Sequence, residues 1–265
     1  MQTAEKYNKL KEIIKNEGSL VIAFSGGVDS TFLLDTAFRV LGQEKVLAVT
    51  ADSPTFPKSE RDETVNFTKS HKIPHRIIFT DEAEVINNAG NTPDRCYFCK
   101  RELFSKLCKI AAQNGFHAVA EGSNTDDKSD YRPGRRAIAE LGILSPLAMA
   151  GLSKAQIREL SREAGLSAWD KPAYACLTSR FPYHVEISKE ALARIEQAEE
   201  FLKSLGFRQC RVRHYSELAR VEVSQEMVTQ AMARESVISE KLKELGYKTV
   251  EIDPTGYRTG SMNIF

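Results

Sequence analysis

Net charge is what this sequence most plainly lacks. Lys and Arg number 37 against 36 Asp and Glu, so 265 residues carry a formal +1. A dedicated nucleic-acid binder normally shows a marked basic excess; that class is disfavoured, although a local basic patch is not. Long apolar runs are missing too. None approaches the roughly 20 residues needed to cross a bilayer, and the polar, helical pattern of residues 1–18 contains no signal-peptide stretch. Five cysteines are too few for a disulfide scaffold. Without an export signal they are expected in a reducing cytoplasm, as thiols or ligands. Five histidines without an HExxH motif make a histidine zinc site unexpected. Internal repeats, low-complexity tracts and flexible linkers are also absent. What is present suits a globular protein: 42% apolar residues, and enough chain for one large domain plus a smaller one.

Short apolar runs alternate with helical stretches through the first half. Leu20–Phe24, Val46–Thr50, His75–Thr80, His117–Glu121 and Ile143–Leu147 read as buried parallel strands. Leu103, Leu107, Ile110 and Ala111 share one helical face. The α/β alternation predicts an open, mostly parallel sheet with helices on both faces and ligands at the carboxyl ends of its strands. Ser153-Lys154-Ala155-Gln156 has capping-box spacing, and Gly165 suits the position after that helix. Trp169–His184 has no clear period and reads as an ordered loop. Past Val185 come a helix (Ser188–Leu205), two strands (Arg208–Tyr215 and Leu218–Val223), a second helix (Gln225–Leu245) and a last strand (Lys248–Ile252). The expected division is an α/β domain over 1–184 and a small α+β domain over 185–265.

The strongest motif follows the first strand. Ser25-Gly26-Gly27-Val28-Asp29-Ser30 leads into a helix expected over Thr31–Leu41. Two glycines open backbone conformations closed to other residues and let a ligand come close. The N–H groups of a helix start, with the helix dipole behind them, favour an anion. Ser25 and Ser30 add hydroxyl donors. Asp29 would hold Mg2+ against phosphate oxygens or fix the loop. No lysine follows the glycines, so this is neither GxxxxGK[ST] nor GxGxxG. Asp52-Ser53 and Gly122-Ser123-Asn124-Thr125-Asp126-Asp127 follow the second and fourth strands, where nucleoside contacts are expected. Asp126 and Asp127 read equally as metal or substrate ligands and as an ordinary polar loop.

Cys96-Tyr97-Phe98-Cys99 has CxxC spacing, with Lys100 and Arg101 behind it. Alone, it leaves open a zinc half-site, a redox pair, two cluster ligands or buried bystander thiols. Cys176 lies in the aperiodic loop. Three thiolates without an evident fourth suit a [4Fe–4S] cluster with one open iron. Cys108 and Cys210 read as structural. Lys100 and Arg180 would lower a thiolate pKa or offset cluster and substrate charge, unless they are simply solvated. Arg211 and Arg213 flank Val212 on a strand, so both guanidiniums share a face and can converge on one phosphate. The alternative is an exposed charged face. Glu199, Glu200 and Glu222 could form an acidic partner site or a metal site, but the favoured reading is a solvated helix face and a strand edge.

Ser25–Ser30 resembles the PP-loop, SGGxDS, of the ATP-pyrophosphatase superfamily. With Arg95–Lys100, Asp170–Arg180, Arg211–His214, Ala219–Val223 and Gly256–Asn263 added, nearly the whole chain resembles the LarE family. The resemblance implies a cytoplasmic, ATP-dependent sulfur transferase using Mg2+. It implies nucleotide contacts from Ala23, Ser25, Gly26, Gly27, Asp29, Ser30, Asp52 and Gly122. The implied substrate is pyridinium-3,5-biscarboxylic acid mononucleotide, its carboxylates adenylated and then thiolated, its phosphate on Arg211 and Arg213. Asp29, Lys100, Cys176 and Arg180 would be the catalytic residues. Family members differ in sulfur source. One type gives up the sulfur of the cysteine matching Cys176 and keeps dehydroalanine; the other holds a [4Fe–4S] cluster on three cysteines, with an extra sulfide. Cys96, Cys99 and Cys176 make this chain resemble the cluster type. A sulfide or other sulfur donor and homo-oligomeric assembly are implied, with no nucleic acid or membrane partner. The alternative is a tRNA-thiolating or amide-forming PP-loop enzyme.

Overall fold

The computed structural model describes residues 2–128, 133–172, 175–258 and 262. The chain divides into two compact units, residues 1–80 with 94–173 and residues 81–93 with 174–265. The division therefore falls before the 184/185 boundary drawn from sequence pattern. The Cys176 segment goes with the second unit, as does the short helix 82–88.

The first unit opens with α1 (Thr3–Glu17), β1 (Leu20–Ala23), α2 (Val28–Leu41), β2 (Val46–Asp52), α3 (Lys58–Ser70) and β3 (His75–Phe79). After α4 (Glu82–Asn88), which belongs to the second unit, it resumes with α5 (Arg95–Gln113) and β4 (Ala118–Ala120), then α6 (Gly134–Glu140), α7 (Pro146–Ala150) and α8 (Lys154–Glu163). The four strands are parallel, in the order β3-β2-β1-β4. Alternate side chains serve opposite faces. Leu20, Ile22, Val46 and Ala48 pack with Leu10, Leu34 and Ile157 from α1, α2 and α8. Val21, Val49 and Val119 pack with Leu107, Ile110 and Ile138 from α5 and α6. The apolar runs of β1, β2 and β4 suit a sheet covered on both faces; β3, at the edge, is not the buried strand expected over His75–Thr80, since Ile77 and Phe79 are exposed. The chain leaves β1 for β2 and β3 on one side and returns to β4 on the other. The strand order thus reverses between β1 and β4, and the crevice at their carboxyl ends is where such a sheet takes ligands.

Three further expectations are corrected. The helix after β1 starts at Val28, not Thr31, because Gly27 already takes the extended N-cap conformation (φ −73°, ψ 161°). Ile143–Leu147 is not a strand. Leu144 alone bridges to Ala120, and Pro146, with no N–H for a ladder, opens α7. Gln225–Leu245 is not one helix: α10 (Val228–Ala233) and α11 (Glu235–Glu244) break at Arg234, whose guanidinium donates to the Leu205 carbonyl at 2.8 Å.

The second unit also contains α9 (Lys189–Ser204), β5 (Cys210–Tyr215), β6 (Leu218–Val223) and β7 (Thr249–Ile252). β5 and β6 pair antiparallel, β6 and β7 parallel. Leu202, Phe207, Val212, Val221, Ile238 and Leu242 form its core. Among the described residues no helix is long and apolar enough to cross a membrane.

The capping box at the start of α8 forms as its spacing predicts, with the Ser153 hydroxyl accepting from Gln156 N and the Gln156 side chain accepting from Ser153 N. Ser153→Ala is expected to cost about 1 kcal/mol of stability, read as a lower denaturant midpoint. An unchanged midpoint would show that the box contributes nothing.

Candidate active site

The strand-to-helix turn after β1 is built as an anion cradle. Gly26 sits at φ +71°, open to glycine at little cost. A side chain there would stand 3.1 Å from the Thr64 methyl. Gly27, lacking a side chain, caps α2 without closing over its first N–H groups. Those groups have no intrahelical acceptor and carry the positive end of the dipole. Ser30 braces the loop from inside: its hydroxyl donates to the Gly27 carbonyl at 3.1 Å and accepts from Ser25 N at 3.3 Å. Gly122, just past β4, packs against this turn. A Cβ there would lie 3.0 Å from Ser30 N and 3.3 Å from the Asp29 carbonyl carbon. Ala23, the last residue of β1, leads into the loop. Asp52, at the end of β2, is held by Arg61 at 3.1 Å.

Two lysines that motif reading left without a role reach this loop. Lys154 Nζ, from the first turn of α8, donates to Asp29 Oδ2 at 2.5 Å across 125 positions of sequence. Burial pushes the Asp29 carboxyl above its usual pKa, opposed by Lys154 and reinforced by Asp127. Asn124 Nδ2 stands 3.5 Å from the other Asp29 oxygen. The same Asn124, with Asp127, Arg135 and Met149, lines a cavity of about 330 Å³. Asp126 accepts from Lys154 N at 2.9 Å, fixing the start of α8. Lys171 Nζ meets Glu60 at 2.7 Å, Glu63 at 2.5 Å and the Gly26 carbonyl at 3.4 Å. Burial pulls Lys171 down most strongly, but the two glutamates together outweigh it and its pKa is raised. The loop has no lysine of its own; the fold brings two to it. Capping-box spacing placed Lys154 at a helix start but gave no hint of its partner.

The cysteines divide between the units. Cys96 and Cys99, at i and i+3 in the opening turn of α5, share a helix face. Cys96 is exposed and Cys99 half-buried. The Lys100 stem packs on α6, where a Cβ on Gly134 would lie 2.6 Å from Lys100 Cδ. Cys108 is half-buried, and burial raises its pKa. Cys210 is buried, with its thiol pushed up to about 12. Among the described residues no group of three or more His, Cys, Asp or Glu side chains stands ready to hold a metal ion.

Cys176 is exposed and opens a short 3-10 turn over Leu177–Arg180. Its sulfur lies 3.3 Å from the Thr178 hydroxyl. Arg180 is fully buried and grips Glu199 with two hydrogen bonds, at 2.8 and 2.7 Å. Its remaining nitrogen donates to the carbonyls of Ala175 (2.6 Å) and Cys176 (3.0 Å). Arg213 pairs with Glu222 at 2.9 and 2.6 Å and donates to the Ser179 carbonyl at 3.1 Å. Arg211 lies over the Tyr257 ring at 5.2 Å. Burial pulls its pKa down, as does the nearby Arg180. Glu199 and Glu222 are therefore not solvated: each is nearly fully buried against an arginine. Only Glu200 is exposed as expected. A usable signal existed. Glu199 follows Leu192 and Ile195 by seven and four positions, on the apolar stripe of α9. The buried charged side chains described in this unit are Arg180, Glu199, Arg211, Arg213 and Glu222.

Comparison with known proteins identifies the assembly. The NAD synthase family matches residues 3–167. An uncharacterized protein of Synechocystis sp. is 40% identical over 260 residues, covering 97% of each chain. Pyridinium-3,5-bisthiocarboxylic acid mononucleotide synthase of Lactiplantibacillus plantarum is 35% identical over 260 residues, 98% of this chain and 94% of that one. This chain belongs to the LarE family, within the PP-loop enzymes. A tRNA-cytidine(32) 2-sulfurtransferase of Bartonella tribocorum is 33% identical over 114 residues, 40% of this chain and 38% of that one. Membership in the LarE family makes the chain an ATP-dependent sulfur transferase.

Within that family setting Gly122 gains a specific meaning, because its absent side chain leaves room for the phosphate loop. Gly122→Ala forces a methyl against backbone, not against a side chain that could swing away. The expected result is ATP binding weakened about tenfold or more by calorimetry, equivalent to about 1.4 kcal/mol, with the circular dichroism spectrum retained. Wild-type affinity in this variant would mean the close packing does not shape the loop.

Proposed function

We propose that this enzyme adenylates the carboxylates of a pyridinium biscarboxylic acid mononucleotide and converts them to thiocarboxylates. A substrate carboxylate oxygen attacks the α-phosphorus of ATP, the α–β bond breaks, and pyrophosphate leaves. The open N–H groups at the start of α2 and the Ser25 hydroxyl hold the phosphates, with Ser30 bracing the loop. Lys154, paired with Asp29 at the loop, would offset phosphate charge, and Asp29 would hold a Mg2+ ion that supplies Lewis-acid stabilisation of the leaving pyrophosphate. Sulfur then attacks the acyl carbon and AMP departs. The observation that carries the substrate reading is that Arg211 and Arg213, both buried, flank one residue of β5, and that Arg213 donates to the Ser179 carbonyl in the Cys176 turn at 3.1 Å, so guanidiniums suited to a phosphate lie beside that turn. The Lactiplantibacillus relative, matched almost end to end, is a pyridinium-3,5-bisthiocarboxylic acid mononucleotide synthase, which supports the same reading.

For the sulfur, the donor set fits an iron–sulfur cluster in kind: Cys96 and Cys99 present two thiols from one helix face, and Cys176 adds a third thiol, itself exposed. When bound, a [4Fe–4S] cluster on these cysteines would supply sulfide to the activated carbonyl. A second reading is favoured by the exposure of Cys176 on a firmly held turn, as an attacking nucleophile requires. There Cys176 itself forms a thioester, and elimination leaves dehydroalanine behind.

One experiment separates these outcomes. Anaerobically prepared enzyme is assayed for iron and acid-labile sulfide, then for AMP, pyrophosphate and intact mass across turnover with the biscarboxylic mononucleotide. Iron and sulfide, thiocarboxylate product and an unchanged mass are expected. A protein lighter by the elements of hydrogen sulfide assigns the sulfur to Cys176. Thiolation of tRNA with no reaction of the mononucleotide would overturn the substrate reading.

A further inference from the structure

We propose that the buried Arg180–Glu199 pair is a positioning device that fixes the Cys176 sulfur relative to the phosphate-binding arginines, and thereby selects a phosphorylated acid over the same acid without its phosphate. The inference rests on the roles given above to Cys176, Arg211 and Arg213.

The Arg180 guanidinium spends one edge on Glu199 and turns Nη1 to the Ala175 and Cys176 carbonyls and the Ser179 hydroxyl, the last at 2.9 Å. A planar fork held on both sides has little freedom left. Glu199 is tied in turn: its Oε1 also accepts from Val212 N at 2.9 Å. Val212 is the residue between Arg211 and Arg213 on β5, so the peptide that carries the two phosphate arginines is hydrogen-bonded to the carboxylate that holds the cysteine turn. A second tie runs from Arg213 to the Ser179 carbonyl, with Arg213 fixed by Glu222. Both ties are charge-assisted; the Val212–Glu199 bond is buried and the Arg213–Ser179 bond part-buried, and bonds to an ionised group are stronger than neutral ones. A buried ion pair adds little net stability compared with apolar packing, and its best-attested use is to hold register. Here the register is between sulfur and phosphate. Binding of the remote phosphate is then converted into alignment at the reacting carbon, so a dephosphorylated substrate loses kcat and not only affinity.

The test is Glu199→Gln, nearly the same shape without the charge, with Arg180→Lys as a second variant that keeps the charge and loses the fork. For each, thiocarboxylate formation is measured with the mononucleotide and with its dephosphorylated nucleoside, alongside ATP affinity and the pH dependence of Cys176 alkylation. ATP affinity is expected to hold. The rate with the mononucleotide is expected to fall about 100-fold, and the preference for it over the nucleoside to shrink at least tenfold. A loss of folding alone would lower both substrates equally and leave their ratio intact; an unchanged ratio in both variants overturns the proposal. If the wild-type enzyme itself shows no preference for the phosphorylated acid, the reading of Arg211 and Arg213 fails first.

Discussion

Everything in the first unit is arranged around backbone N–H groups that the helix cannot use. A chain passing from a parallel strand directly into a helix leaves amides at the helix start pointing away from the protein, and only an anion or water satisfies them. Gly26, Gly27 and Gly122 keep that space clear, and Ser30 stiffens it from within. Strand order places it at the β1–β4 crevice. Without this corner ATP would not be held, and no placement of sulfur would matter.

The second unit solves a different problem by different means. It holds the turn that carries the exposed Cys176 with two buried arginine–glutamate pairs in place of apolar packing alone. Desolvating these charges is costly, so their retention in a small core calls for a functional reason.

How much of this was legible in the sequence follows from the range of each interaction. The phosphate loop was readable because its glycines, serines and aspartate are consecutive and their chemistry is local. So was the Ser153–Gln156 box. Lys154 and Lys171 were not, since their partners lie more than a hundred positions away and no pattern within a helix or loop encodes such a pairing. Glu199 was misread because an acid on a helix is usually solvated, although its place on the apolar stripe of α9 argued otherwise. Ile143–Leu147 looked like a strand by composition, and Pro146 decided against it. Cys96, Cys99 and Cys176 stood out as residues, but spacing alone could not say which chemistry they serve.

The central claim is that main-chain amides at the β1–α2 junction grip the triphosphate. Amide hydrogen exchange across residues 25–31, with and without an ATP analogue that cannot be cleaved between the α and β phosphates, tests it directly. Strong protection there with the analogue, and none with adenosine alone, is the predicted result. Saturating analogue that leaves those amides exchanging as in the free enzyme would contradict the account.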